Sequence, residues 1–173
     1  RRPERRVAAE IERVFLLRAL PPAMPAGEVW QIDQGYLPPL DGTDPTQLEG
    51  RLRRITHPDG SVEHIHTIKR GLGLVREETE RTIDAASFER EWPRTAGRRL
   101  RKVRTRIAVA DRVWEVDRFL DMPVVLAECE LPTADAHLDI PAWLAPVIER
   151  EVTEEPAFRN SELARRAGLL PGQ

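Results

Sequence analysis

The chain has 173 residues, 27 Lys and Arg against 29 Asp and Glu, a formal net charge of −2 and a pI near 6.2; this suits one domain spanning residues 1–173 and excludes a nucleic-acid binder that works by bulk electrostatics, so any basic function is local. A lone cysteine, Cys129, excludes an intramolecular disulfide and thiolate metal clusters and fits a cytoplasmic setting. No stretch approaches the ~20 apolar residues of a membrane-spanning helix and none has the signal-peptide pattern, so a soluble protein without membrane or nucleic-acid partners is expected.

In chain order, the opening Arg1-Arg2-Pro3, without methionine, reads as a trimmed start. Val7 to Leu16 reads as a strand, the proline-rich Ala19 to Gly27 as a loop with room for one helical turn, and Val29 to Tyr36 as a second strand stopped by Pro38-Pro39. Glu49 to Thr56 and Val62 to Lys69 form a hairpin across His57-Pro58-Asp59-Gly60-Ser61, where proline presets φ and glycine accepts positive φ. A loop at Arg70-Gly71-Leu72-Gly73 precedes a strand from Leu74 to Ile83. Asp84 to Trp92 reads as a short helix with Asp84 as N-cap and Pro93 past its end. Leu100 to Val109 and Val113 to Phe119 make another hairpin across Ala110-Asp111-Arg112, and Val124 to Leu131 is a further strand. From Pro141 the spacing turns helical, with Trp143, Leu144, Val147 and Ile148 on one face, and Asn160 to Gly168 gives a short helix ending at glycine.

Within these strands the charges are sorted by sign. Residues two apart share a face, so Glu10 and Glu12, Glu115 and Asp117, and Glu128 and Glu130 form acidic pairs, while Arg51 and Arg53, Lys69, and Arg104 and Arg106 form basic ones; Arg76, Glu78 and Glu80 share another face. A solvated strand face has no reason to be sorted in this way. Facing each other inside a curved or closed sheet, such faces would set cation-binding carboxylates beside phosphate-binding bases, the makings of a metal-dependent polyphosphate site.

The run of EIERVFLL at Glu10, QGYL at Gln34, RLRR at Arg51, TIKRGLGLVREETERTI, RTRIAV, WEVDRF, LAECEL, EVT and N-x-x-LA, in this order from about Glu10 to Gly168, resembles the CYTH superfamily, the triphosphate tunnel metalloenzymes. The resemblance implies an α+β fold: a closed eight-stranded antiparallel β-barrel whose polar lumen is a tunnel, with peripheral and C-terminal helices. It also implies Mg2+ or Mn2+ as cofactor and hydrolysis of inorganic triphosphate, a small-molecule substrate; the sequence leaves monomer and homodimer both open. Carried over residue by residue, the metal-binding carboxylates match Glu10, Glu12, Glu128 and Glu130, with Asp117 a further candidate, and Glu10, Glu12 and Glu130 form the expected catalytic set. The phosphate-binding bases match Arg51, Arg53, Lys69, Arg104 and Arg106; Lys102 lies two residues earlier on the same face, which leaves the register open by two. Glu78 and Glu80 match a supporting acidic pair.

The family's E-x-E-x-K signature is broken here, since valine stands at position 14 where the family has lysine, and Arg13 faces the other side of the strand. An anion-binding module with weak turnover is therefore an alternative to the enzyme. Nucleoside or thiamine triphosphatase and adenylate cyclase activities are further alternatives, although no residues specify a pocket for adenine and ribose. Retention of the carboxylates favours the enzyme, because a pure anion binder gains nothing from acidic groups beside its ligand. Cleaving a triphosphate requires cations on its oxygens and a positioned water, and arginine adds bidentate contacts. His64 and His66 are expected on the exposed face opposite Lys69, His57 and His137 in loops, the tryptophans at positions 30, 92, 114 and 143 in the core, and Tyr36 in the core or at a tunnel mouth.

Overall fold

A computed structural model describes residues 6–39, 48–70 and 75–171. Among these residues nine strands form one antiparallel sheet: β1 (Arg6–Leu17), β2 (Glu28–Tyr36), β3 (Leu48–Thr56), β4 (Val62–Arg70), β5 (Val75–Thr82), β6 (Arg99–Val109), β7 (Arg112–Phe119), β8 (Val125–Glu130) and β9 (Ile148–Glu151). Their spatial order is β5-β4-β3-β2-β6-β7-β8-β1, and β1 returns to pair with β5, so eight strands close into a barrel. The closure depends on the length of β1. One edge of this twelve-residue strand pairs with β5 through residues 6–11 and with β9 through Phe15–Leu17, while residues 12–17 pair with β8 on the other edge.

Alternation along the strands decides what faces outward. Phe15, Ile107, Trp114, Val116, Ala127 and Cys129 all lie on the opposite strand face from the sorted charges, and they are buried under a cover that includes Leu131, Leu138 and Leu144. On the charged, inward face, two apolar clusters flank the polar residues. Ile32, Ile55 and Ile65 meet beside Trp30, and Tyr36, Leu100, Phe119 and Leu126 meet Val152, Leu163 and Ala164. The barrel is therefore filled, with charge confined to its middle.

Short connections behave as their residues dictate. Gly60 has φ +83 in the Pro58-Asp59-Gly60 turn, and the Ser61 N–H donates to Asp59 Oδ1 at 2.9 Å. Helix α1 (Ala85–Glu91) begins where the Ser87 N–H donates to Asp84 Oδ1 at 2.6 Å, and a 3-10 turn over Trp92–Thr95 follows, with Pro93 at its start. Helix α2 (Asn160–Ala167) ends at Gly168, where a Cβ would meet the Gly97 carbonyl oxygen at 1.8 Å. Only glycine permits that approach. The center of the expected loop at Arg70 to Gly73 lies outside the described residues, as do Arg1-Arg2-Pro3.

Two expectations are corrected. The helical spacing from Pro141 to Ile148 is not an α-helix: a 3-10 turn over Ala145–Val147 runs directly into β9. Pro146 has no N–H for an i−4 bond, and the edge of β1 beyond β5 offers the next residues a ladder instead. His64 and His66 do face away from Lys69, yet both are half-buried, because α1 lies over that outer face and sets the Phe88 ring 4.9 Å from His64.

Candidate active site

A cavity inside the barrel is lined by Glu12 and Val14 of β1, Tyr36 of β2, Arg51 of β3, Lys69 of β4, Lys102 and Arg104 of β6 and Glu128 of β8. The C-terminal segment closes one wall with Val152, Thr153, Glu155, Phe158, Arg159 and Asn160. Seven of the eight strand positions come from charged or hydrogen-bonding residue types, and each lies on the lumenal face by simple alternation. The segment is tied down by backbone bonds, Val152 N–H to Val14 O at 2.8 Å, and by Val14 N–H to Thr153 Oγ1 at 3.0 Å.

The cations are held in place by buried carboxylates. Asp117, fully buried, accepts from Arg104 Nε at 2.7 Å and Arg104 Nη2 at 2.9 Å, and its Oδ2 lies 2.9 Å from Lys102 Nζ. Burial alone would raise this carboxyl, but Arg104 and Lys102 outweigh it and hold it far below the usual range. Lys102 also donates to Asn160 Oδ1 at 2.8 Å, and Gln34 Nε2 donates to the same oxygen at 3.1 Å and to the Tyr36 hydroxyl at 2.8 Å. Burial pushes the Lys102 ammonium down to about 8 despite Asp117. Arg104 reaches Glu115 at 3.0 Å and Glu128 at 3.5 Å. On the opposite wall Lys69 lies 3.0 Å from Glu10, Arg53 3.0 Å from Glu80, and Arg51 3.9 Å from Glu78. Burial and the adjacent Arg51 pull the Arg53 guanidinium down to about 10.

The carboxylates differ in the direction their surroundings shift them. Although burial opposes it, Lys69 keeps Glu10 low, at about 2, and Glu78, hydrogen-bonded to Glu10, is pushed up to about 7 by burial and by that neighbour. Glu128 is pushed up to about 8 by burial and by the negative charges of Glu12 and Asp117. Two acidic groups, Glu12 and Glu128, thus share one cavity wall under mutual repulsion, the arrangement a divalent cation relieves. Among the described residues no group of three or more His, Cys, Asp or Glu stands at metal-ligating geometry. Magnesium and manganese do not require one: one or two carboxylates suffice when phosphate oxygens and water complete the shell. The donor set fits such an ion.

Not every sequence-predicted residue reaches the cavity. Glu12, Arg51, Lys69, Arg104 and Glu128 line it; Glu10, Glu78 and Asp117 are outside the lining but ion-pair with lining cations, and Arg53 and Glu80, also outside it, pair with each other. Glu130 is exposed, outside the cavity lining. Arg106 is also outside it, one-third exposed, bound to Glu115 at 3.1 Å and lying over the Trp30 ring at 4.6 Å. Glu115 pairs with both Arg104 and Arg106 within the barrel. Lys102, which the sequence left as a question of register, is a lining residue; its place on the same strand face as Arg104 was the available signal. Tyr36 is buried and lines the cavity. Asn160 and Arg159 were missed, since only the docking of the C-terminal segment brings them in.

No protein-family model matches the chain. The inorganic triphosphatase of Nitrosomonas europaea is 36% identical over 163 residues, covering 90% of this chain and 96% of that protein. A crystal structure of an inorganic triphosphatase superposes with a TM-score of 0.57 at 34% identity, over 94% of this chain and 97% of the other. A Hippeastrum protein described as a putative adenylyl cyclase with a dominant triphosphatase activity superposes with a TM-score of 0.51 over 72% of this chain and 80% of its own, at 15% identity, a likeness of fold alone.

Proposed function

The chain belongs to the CYTH superfamily of triphosphate tunnel metalloenzymes, alongside the bacterial inorganic triphosphatases, and from that premise we propose that it hydrolyses inorganic triphosphate to pyrophosphate and phosphate inside the barrel, with Mg2+ or Mn2+. The observation that carries the proposal is the division of one cavity between the cations Arg51, Lys69, Lys102 and Arg104 and the mutually repelling carboxylates Glu12 and Glu128.

The geometry supports the following roles. Arg51 and Arg104 present planar guanidinium groups to phosphate oxygens, and Lys69 and Lys102 add point charges, so the anion is neutralised on both walls. These cations do not collapse onto the ligand site, because Asp117, Glu10 and Glu78 hold them from behind. Preorganised donors of this kind need little rearrangement as charge shifts to the leaving oxygen. Glu12 and Glu128 would hold the ion, and Glu10 and Glu78, sharing a hydrogen bond, support Lys69 and Arg51. The metal, when bound, lowers the charge on the phosphates and favours deprotonation of the attacking water. Lys102, buried against Asp117 and Asn160, stabilises negative charge at the phosphate that faces it.

Phosphate release from inorganic triphosphate, with Mg2+ or Mn2+ and with chelator, beside ATP, tests the reading. The expected result is metal-dependent release that is faster from triphosphate than from ATP and absent with chelator. Binding of triphosphate without release under any metal would overturn hydrolysis and leave an anion-binding module.

A further inference from the structure

A second hollow lies on the outer faces of β3, β4 and β5, on the far side of the sheet from the tunnel. Alternation turns Gly50, Leu52, His66 and Ile68 outward while Arg51 and Lys69 turn in, so the sheet itself separates the two cavities. The hollow has a volume of about 520 Å³, the size of a small-molecule site. One wall is the segment Leu37-Pro38-Pro39 that leaves β2; the other is α1 and the 3-10 turn after it, through Ser87, Glu91 and Arg94. Leu52, His66 and Arg81 stand in one row across the three strands, and in the next row Gly50, opposite Ile68, adds no side chain.

The floor is apolar, with Leu37, Leu52, Ile68 and Ile83, and the rim is cationic. Three exposed arginines, Arg81, Arg90 and Arg94, stand there against one carboxylate, Glu91. Glu91 pairs with Arg94 and lies 3.8 Å from Arg90 Nε. Arg81 has no carboxylate partner among the described residues; its Nε donates to His66 Nδ1 at 3.2 Å. Accepting at Nδ1 makes that imidazole neutral, with its proton on Nε2, and burial together with Arg81 pulls the histidine down in the same sense. The terminal nitrogens of Arg81 and the His66 Nε2–H are therefore donors beside an apolar floor, with net positive charge around them.

We propose that this hollow binds a small amphipathic carboxylate, its apolar body over Leu52, Ile68 and Ile83 and its head on the Arg81 guanidinium. A carboxylate suits the head because its two oxygens match one guanidinium fork. A phosphate dianion fits less well, since the other two arginines already share Glu91, whose charge repels the second negative charge. The site is independent of the tunnel chemistry and needs only the fold.

The test is titration with octanoate, with hexanoate and decanoate to vary the body and octanol and octyl phosphate to vary the head, all below their micellar concentrations. Binding is followed by calorimetry and by backbone amide NMR shifts, in wild type and Arg81→Gln. One octanoate per chain is expected, with Kd falling about fourfold for each added methylene. Arg81→Gln, a change at an exposed position, should raise Kd about tenfold or more at unchanged melting temperature. The amide shifts should fall on Ser87, Arg90 and Glu91 and leave Thr153 and Asn160, on the tunnel wall, in place. Shifts centred on the tunnel wall, an unchanged Kd in Arg81→Gln, octanol or octyl phosphate binding as tightly as octanoate, or no saturable binding would each overturn the assignment. None of these readings depends on turnover, so a failure of hydrolysis leaves the test of the hollow intact.

Discussion

On β7, Trp114 and Val116 turn outward into the covered apolar core, while Glu115 and Asp117 turn into the barrel, and Asp117 is as deeply buried as Trp114. The same division by residue parity runs through β1, β6 and β8. On the outer face burial is favourable in itself, at roughly 25 cal/mol per Å² of apolar surface. On the inner face burial is costly, because charges leave water and only their mutual pairing offsets the loss. The difference teaches that one set of strands carries stability on one side and chemistry on the other, so substitutions on the two faces should separate cleanly.

The largest effect is expected on the outer face. Trp114→Ala removes a ring whose centroid lies 5.8 Å from that of Phe15 in a tilted pair and leaves a cavity, costing about 3–5 kcal/mol. By calorimetry the melting temperature should fall by roughly 10 °C, with turnover per folded molecule retained below the transition; a shift of only a degree or two would break the comparison. On the inner face Glu128→Gln should do the reverse. Turnover of triphosphate should fall by about 100-fold, roughly 2.7 kcal/mol, while the melting temperature holds or rises, since a buried carboxyl repelled by Glu12 and Asp117 becomes a neutral amide. Loss of stability in step with loss of rate would refute the division. The smallest effect sharpens it at the seam. Gly168→Ala places a Cβ against Gly97 and should cost about 1–3 kcal/mol, and because α2 carries Asn160 to Lys102, KM should rise modestly as well. A change in stability with KM untouched would uncouple the helix from the tunnel.

The faces themselves were legible because parity is a property of sequence. Glu12, Arg51, Lys69, Arg104 and Glu128 were sorted onto their strand faces by alternation, with the family resemblance turning those faces into a lumen, and the β3–β4 turn was marked by Pro58-Asp59-Gly60. Depth along the barrel was not legible, because it depends on strand tilt and register across the closed sheet. That is why Lys102 at the cavity and Arg106 outside it could not be told apart, and why Glu130 looked equal to Glu128. Burial from covering elements was equally hidden: α1 over His64, and the C-terminal segment over the tunnel, act across long separations in sequence. The segment from Pro141 to Ile148 failed for another reason, since a turn and a 3-10 turn leading into the start of β9 imitate helical spacing at the length of a short helix.

The shared edge of β1 also sets an order of assembly. This first strand needs β5 and β8 on its two sides, and it needs β9, through Phe15–Leu17 and the Arg13–Glu151 pair, to finish the edge that β5 leaves bare. On a ribosome the N-terminal segment therefore emerges long before its last neighbour: the eight-stranded barrel can close once β8 is synthesised, but the edge of β1 at Phe15–Leu17 waits for β9. Such long-separation pairing slows folding, and a nascent chain paused before β9 would leave the backbone edge of β1 bare at Phe15–Leu17, the point at which a chaperone or a wrong strand would engage it.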